Sequence, residues 1–115
     1  MIQILLATYN SAPFLKIQLD SLMNQSYRDF EILVNDGASR DNTLAIIADY
    51  QKRYPGKIRL LGSAPVSACK NFSILLAAAD AELIMFCDHN DVWKKEKIVE
   101  HTYANQNLFS VFVSS

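Results

Sequence analysis

The chain is short of several things, and each shortage removes a class of function. It has only two cysteines in 115 residues, Cys69 and Cys87. They form no C-x-x-C pair and no disulfide framework, so a structural zinc site or a secreted disulfide scaffold has no support. Both sit among apolar neighbours and read as small buried hydrophobes. Net charge is -1, with no basic block, which argues against a nucleic-acid surface and against an anionic membrane surface. No apolar run approaches about 20 residues, so no spanning helix is expected. The N-terminus lacks a basic stretch followed by a long apolar one, so no signal peptide is expected and a cytoplasmic location follows. There is no G-x-x-x-x-G-K-[ST] and no G-x-G-x-x-G, which removes the usual mononucleotide and dinucleotide fingerprints. No Ser-His-Asp set stands in a credible order. Internal repeats and low-complexity tracts are also missing.

What is there is ordinary globular composition, 50% hydrophobic and 20% charged, in a chain long enough for one domain with one core. Ile2 to Ala7 is an apolar run broken only by Gln3 and reads as a buried strand. Thr8, Tyr9, Asn10 and Ser11 end it with polar groups. Pro13 suits a first helical turn, and Leu15, Leu19, Leu22 and Met23 mark a helical stripe that Asn24-Gln25-Ser26 stops. Phe30 to Val34 is a second strand. After it, Asn35 to Asp41 is a polar turn, with Asp41 or Asn42 capping a helix striped by Leu44, Ile47, Ala48 and Tyr54. Ile58 to Leu61 reads as a third strand and Gly62 to Val66 as a loop. Cys69, Phe72, Leu76 and Ala79 predict a third helix with Phe72 in the core. Leu83 to Cys87 is a fourth strand, Lys94 to Gln106 a charged helix around Ile98 and Val99, and Val111 to Val113 a fifth strand.

Strand-helix alternation predicts an α/β fold: an open, mostly parallel, Rossmann-like sheet with helices on both faces. In such sheets ligands bind beyond the carboxyl ends of the strands. Three polar clusters fall there: Thr8 to Ser11, Asn35 to Asp41, and Asp88-His89-Asn90-Asp91. Two carboxylates crowded at the end of a buried strand repel each other. A cation, a ribose or a metal-bound diphosphate gives them a reason, whereas the bland alternative is that Asp88 or Asp91 caps the next helix.

Singly, the residues divide as follows. Tyr9 either stacks on a base or packs on its loop. Asp36 either accepts from a base N–H or caps a turn, and Gly37, which permits close backbone approach, favours the ligand role. Lys70 either neutralises a diphosphate or is a solvated lysine. His89 is an extra polar contact at most, and Trp93 covers the core beside the site.

With those residues set out, a resemblance becomes visible. Ile4 to Asn10, Gln18 to Leu22 and Asn24 to Tyr27 resemble the opening of family 2 inverting glycosyltransferases with the GT-A fold. Asp36 to Thr43 resembles their D-G-x-S-x-D-x-T turn. Phe86 to Trp93 resembles the F-x-D-Q-D-D-x-W segment of the rhamnosyltransferase-like branch. The resemblance implies a nucleotide-sugar site of UDP or dTDP type, in polysaccharide or glycan assembly. Thr8, Tyr9, Asn10, Asp36 and Asp88 would hold the nucleotide, with Lys70 a weaker match. Asp88, Asn90 and Asp91 would hold a divalent cation, Mn²⁺ or Mg²⁺. Asn90 departs from the family's carboxylate, and a neutral amide is a poorer ligand for a hard cation. The family's acceptor half and catalytic base are expected beyond Ser115, Glu96 and Glu100 being weak stand-ins, so residues 1–115 read as the nucleotide-sugar-binding part alone. The implied partners are the nucleotide sugar and, for the full-length protein at the inner face of a membrane, a glycan or lipid-linked acceptor. Self-association through the exposed edge near Val111 to Val113 is also expected. The rival reading is a catalytically silent nucleotide-binding or assembly module. A nucleotidyltransferase would need a glycine-rich phosphate loop that Thr8 to Ser11 lacks.

Overall fold

The computed structural model describes residues 1–88, 91–104 and 110–113. In chain order the elements are β1 (Ile2–Thr8), α1 (Ala12–Met23), β2 (Phe30–Asp36), α2 (Thr43–Arg53), β3 (Ile58–Ser63), α3 (Ala68–Ala78), β4 (Leu83–Cys87), α4 (Lys97–Ala104) and β5 (Ser110–Val113). The strands form one sheet in the order β3-β2-β1-β4-β5, and every pairing is parallel. This is the open α/β sheet that the alternation predicts, with β1 at its centre.

Alternation along β1 divides the interior. Ile2, Ile4 and Leu6 face the larger core, where Leu15, Leu19 and Leu22 of α1, Ile46 and Ile47 of α2, and Ile98 of α4 pack. Trp93 joins that core, as expected. Leu5, with Leu33 of β2 and Phe86 of β4, faces the other way and is covered by Leu75 of α3. Gln3 shares that face. Its buried amide donates to Glu31 and Asp80 and its carbonyl accepts from the backbone of Asp80 and Ala81, which is how a polar residue is tolerated inside a central strand.

Several expectations need correction. Phe72 is not core: it is 40% exposed, as is Leu76 at 41%. The residues of α3 that turn inward are Asn71 and Leu75. The helix is apolar on more than one side, so the hydrophobic period leaves its phase open by one residue. Cys69 is likewise exposed, while Cys87 is buried. Gly62 and Ser63 belong to β3 rather than to a loop. Between Val34 and Asn35 the register with β3 shifts by one, Leu61 being the extra residue on β3, so that Asp36 faces Ser63. The helix expected over Lys94 to Gln106 runs over Lys97–Ala104, and residues 105 and 106 lie outside the described ones. Among the described residues, no helix is long and apolar enough to cross a membrane.

Candidate nucleotide site at the strand ends

β1, β2 and β4 end side by side, with Thr8 opposite Asp36 and Leu6 opposite Cys87. Their polar ends therefore converge on one edge of the sheet. At that edge Asp36 is completely buried. Its Oδ1 accepts from the hydroxyls of Thr8 at 2.6 Å and Ser39 at 2.6 Å. Its Oδ2 accepts from the Ser39 backbone N–H at 2.8 Å and the Ser63 hydroxyl at 2.8 Å. Burial alone would push the carboxyl upward. The donors outweigh that, led by Ser39 and then Thr8, and hold it below the usual carboxylate range. A carboxylate has about four acceptor positions, and all are engaged. A base N–H can reach Asp36 only by taking the place of one of these donors.

The two loops beside it are stitched together. The backbone N–H of Asn10 donates to Ser39 Oγ, and that of Arg40 donates to Asn10 Oδ1, each at 2.8 Å. Asp41 accepts from the backbone of Thr43 in the first turn of α2 and from that of Ala12 in the first turn of α1, so it caps two helices. Asn10 and Ala38 both take left-handed backbone conformations, φ 48° and 65°. In the turn after β2 the left-handed residue is Ala38, not its neighbour Gly37. A Cβ at Gly37 would make only ordinary contacts, 3.5 Å from Tyr9 and 3.6 Å from the carbonyl oxygens of Thr8 and Val66.

Above these strand ends lies a cavity of about 500 Å³. Thr8, Tyr9, Gly37, Asn71 and Asp88 line it. Leu5, Phe72, Leu75 and Phe86 form an apolar wall. Tyr9 is 58% exposed. Asn71 was not anticipated. It is buried, its Oδ1 accepts from Asn35 Nδ2 at 2.9 Å, and its own Nδ2 approaches the Thr8 carbonyl only at a long 3.5 Å. Its i, i+4 spacing to Leu75 was the one sequence sign that it faces the sheet. Ser63 was missed as well, because nothing local marks a serine as a donor to a distant strand end; Ser39, three residues from Asp36, stands in the D-G-x-S stretch but was given no role of its own. Lys70 is exposed on the first turn of α3 and is not among the residues lining the cavity.

The β4 end differs. Gln18 of α1 anchors its backbone by donating to the Asp88 carbonyl at 2.7 Å, and also approaches Cys87 Sγ. Burial, with Asp91 and Asp88 adding to it, pushes the Cys87 thiol up to about 12, so it is inert. The Asp88 side chain is exposed at the mouth of the cavity. Partial desolvation and then the Asp91 charge raise its pKa, against Lys97. Asp91 Oδ2 accepts from the Trp93 indole at 3.1 Å, and Asp91 lines a different, smaller cavity of about 200 Å³ with Lys97 and Glu100. The two carboxylates repel each other yet face different spaces. His89 and Asn90 lie outside the described residues. Among the described residues, no three Asp, Glu, His or Cys side chains gather as a metal cluster.

Comparisons with known proteins give the family and the fold. Residues 3–112 match the family described as Glycosyl transferase family 2, and the chain belongs to that family. It is 39% identical to the dTDP-rhamnosyl transferase RfbG of Shigella flexneri, over 91% of this chain and 39% of that protein. An uncharacterized glycosyltransferase of Nostoc sp., alr2836, is 32% identical over 99% of this chain and 33% of that protein. Among solved structures, S. aureus TarS 1-349 in complex with UDP-GlcNAc superposes with a TM-score of 0.79 at 26% identity, over 89% of this chain and 30% of that one. The same protein in complex with UDP gives 0.78 at 25% identity. The fold is that of the GT-A glycosyltransferases. The chain spans about a third of the length of these relatives.

Proposed function

We propose that residues 1–115 form the nucleotide-binding part of a glycosyltransferase whose donor is a pyrimidine nucleoside diphosphate sugar of UDP or dTDP type. The observation that carries this is the cavity over the ends of β1, β2 and β4, which joins an exposed aromatic ring, a buried amide and an exposed carboxylate. Tyr9 offers its ring to the base. Thr8, Asn10 and Asp36 act as one hydrogen-bonded unit that shapes the base end. Asp88 stands where ribose hydroxyls and the diphosphate would arrive, and Lys70 adds positive charge from α3 at longer range. Asp88, with Asp91 and Asn90 as further candidates, would hold a divalent cation, which when bound would supply Lewis-acid chemistry at the leaving diphosphate. The whole protein would transfer the sugar with inversion to a glycan or lipid-linked acceptor, its catalytic base lying outside residues 1–115. A cytoplasmic location, at the inner face of a membrane for the whole protein, belongs to the same proposal.

The reading is tested by titrating UDP, dTDP and GDP into ¹⁵N-labelled chain. Saturable shifts at Thr8, Gly37 and Asn71 with the pyrimidine nucleotides are expected. If those resonances stay unmoved at millimolar UDP and dTDP, the reading fails.

A further inference from the structure

The cavity has more order than a generic base pocket needs. Two of its polar groups, Thr8 and the Asn71 amide, lie together, the amide nitrogen 3.5 Å from the Thr8 carbonyl, and Phe72, Leu75 and Phe86 form a packed carbon group in the same lining. A pyrimidine is divided in the same way: O2, N3 and O4 form a polar edge, and C5 and C6 a carbon edge. C4, which carries O4, and C5 are adjacent ring atoms. Asn71 and Phe72 are adjacent residues of α3. The long 3.5 Å approach of Asn71 Nδ2 to the Thr8 carbonyl leaves this amide able to donate to a ligand. If it donates to O4, the substituent on C5 is directed at the neighbouring apolar wall. Phe72 is suited to receive it. Its ring is stacked on Phe86 with centroids 4.4 Å apart, yet it remains 40% exposed, so carbon placed against it removes apolar surface from water.

We infer that Phe72 and its wall read the C5 position of the base, and that the site prefers thymine over uracil. This rests on the nucleotide reading above and deepens it by naming the base. One buried methyl group predicts about fourfold tighter binding.

The test compares dTDP with dUDP, which differ only in that methyl, by chemical-shift titration of this chain; UDP against dUDP separates the effect of the ribose 2′-hydroxyl. A dTDP preference near fourfold that falls close to one in Phe72→Ala, with the dispersion of the amide spectrum retained, supports the inference. Equal affinities for dTDP and dUDP overturn it and leave the nucleotide reading standing. A preference that survives Phe72→Ala overturns the assignment to this wall. Absence of binding by all three nucleotides overturns the nucleotide reading, and the inference with it.

Discussion

Two aspartates end neighbouring regions of the same sheet and have opposite fates. Asp36, at the end of β2, is buried and saturated by donors from β1, β3 and its own turn. Asp88, at the end of β4, is exposed, and its pKa is raised by desolvation and by Asp91. A carboxylate held by its own protein is architecture. One that its surroundings disfavour is poised to gain from a ligand. In the function we propose, labour at this edge divides accordingly: the β2 end would shape the pocket, and the β4 end would receive charge.

The largest expected effect is at the saturated end. Asp36→Ala leaves the buried Thr8 hydroxyl, the half-buried Ser39 hydroxyl and backbone N–H, and the exposed Ser63 hydroxyl without their acceptor, and should cost about 2 kcal/mol, most of it from the groups that water cannot reach. Urea unfolding measures it, and a loss below about 1 kcal/mol would mean that water replaces the carboxylate easily.

The pH dependence is the next test, and the two aspartates carry opposite signs. The folded pKa of Asp36 is depressed, so its contribution is present above the unfolded carboxylate value and is lost as pH falls through the folded one. The folded pKa of Asp88 is raised, so ionising it opposes folding and its protonation favours the native state. Below about pH 4 the chain should lose stability, less steeply in Asp36→Asn. At neutral pH Asp88→Asn should leave stability unchanged or raise it by well under 1 kcal/mol, because solvent screens an exposed group. Thermal melts across pH check both signs, and a clear loss on Asp88→Asn would break the contrast.

The smallest effect concerns the turn between them. Ala38 at φ 65° would be relieved by Ala38→Gly, but the added freedom of the unfolded chain offsets most of the gain. A stabilisation under about 1 kcal/mol is expected in the same urea assay.

The contrast was half legible beforehand. Apolar runs ending in polar clusters located β1, β2 and β4 and their common edge, because strand burial writes itself as consecutive hydrophobic residues. The resemblance in Asp36–Thr43 and Phe86–Trp93 supplied the chemistry. The saturation of Asp36 was not legible, since its donors come from residues 8, 39 and 63, and their convergence depends on the sheet order and on a one-residue bulge in β3. The phase of α3 failed for a related reason. In an apolar, alanine-rich helix the sheet, not the period, decides that Asn71 and Leu75 turn inward and Phe72 is left at the cavity wall. Ala38 went unseen because left-handed backbone is ordinarily signalled by glycine, and Gly37 stood next to it.

The most direct measurement is dTDP affinity with and without Mg²⁺ for the wild-type chain and for Asp88→Asn, alongside the unfolding midpoint of each. The result expected is tighter dTDP binding with Mg²⁺ in the wild type, with both the affinity and its metal dependence lost in Asp88→Asn while the midpoint is unchanged or higher. If Asp88→Asn binds dTDP as well as the wild type and responds equally to Mg²⁺, Asp88 is not the ligand-facing carboxylate, and the assignment of the β4 end to the diphosphate is wrong.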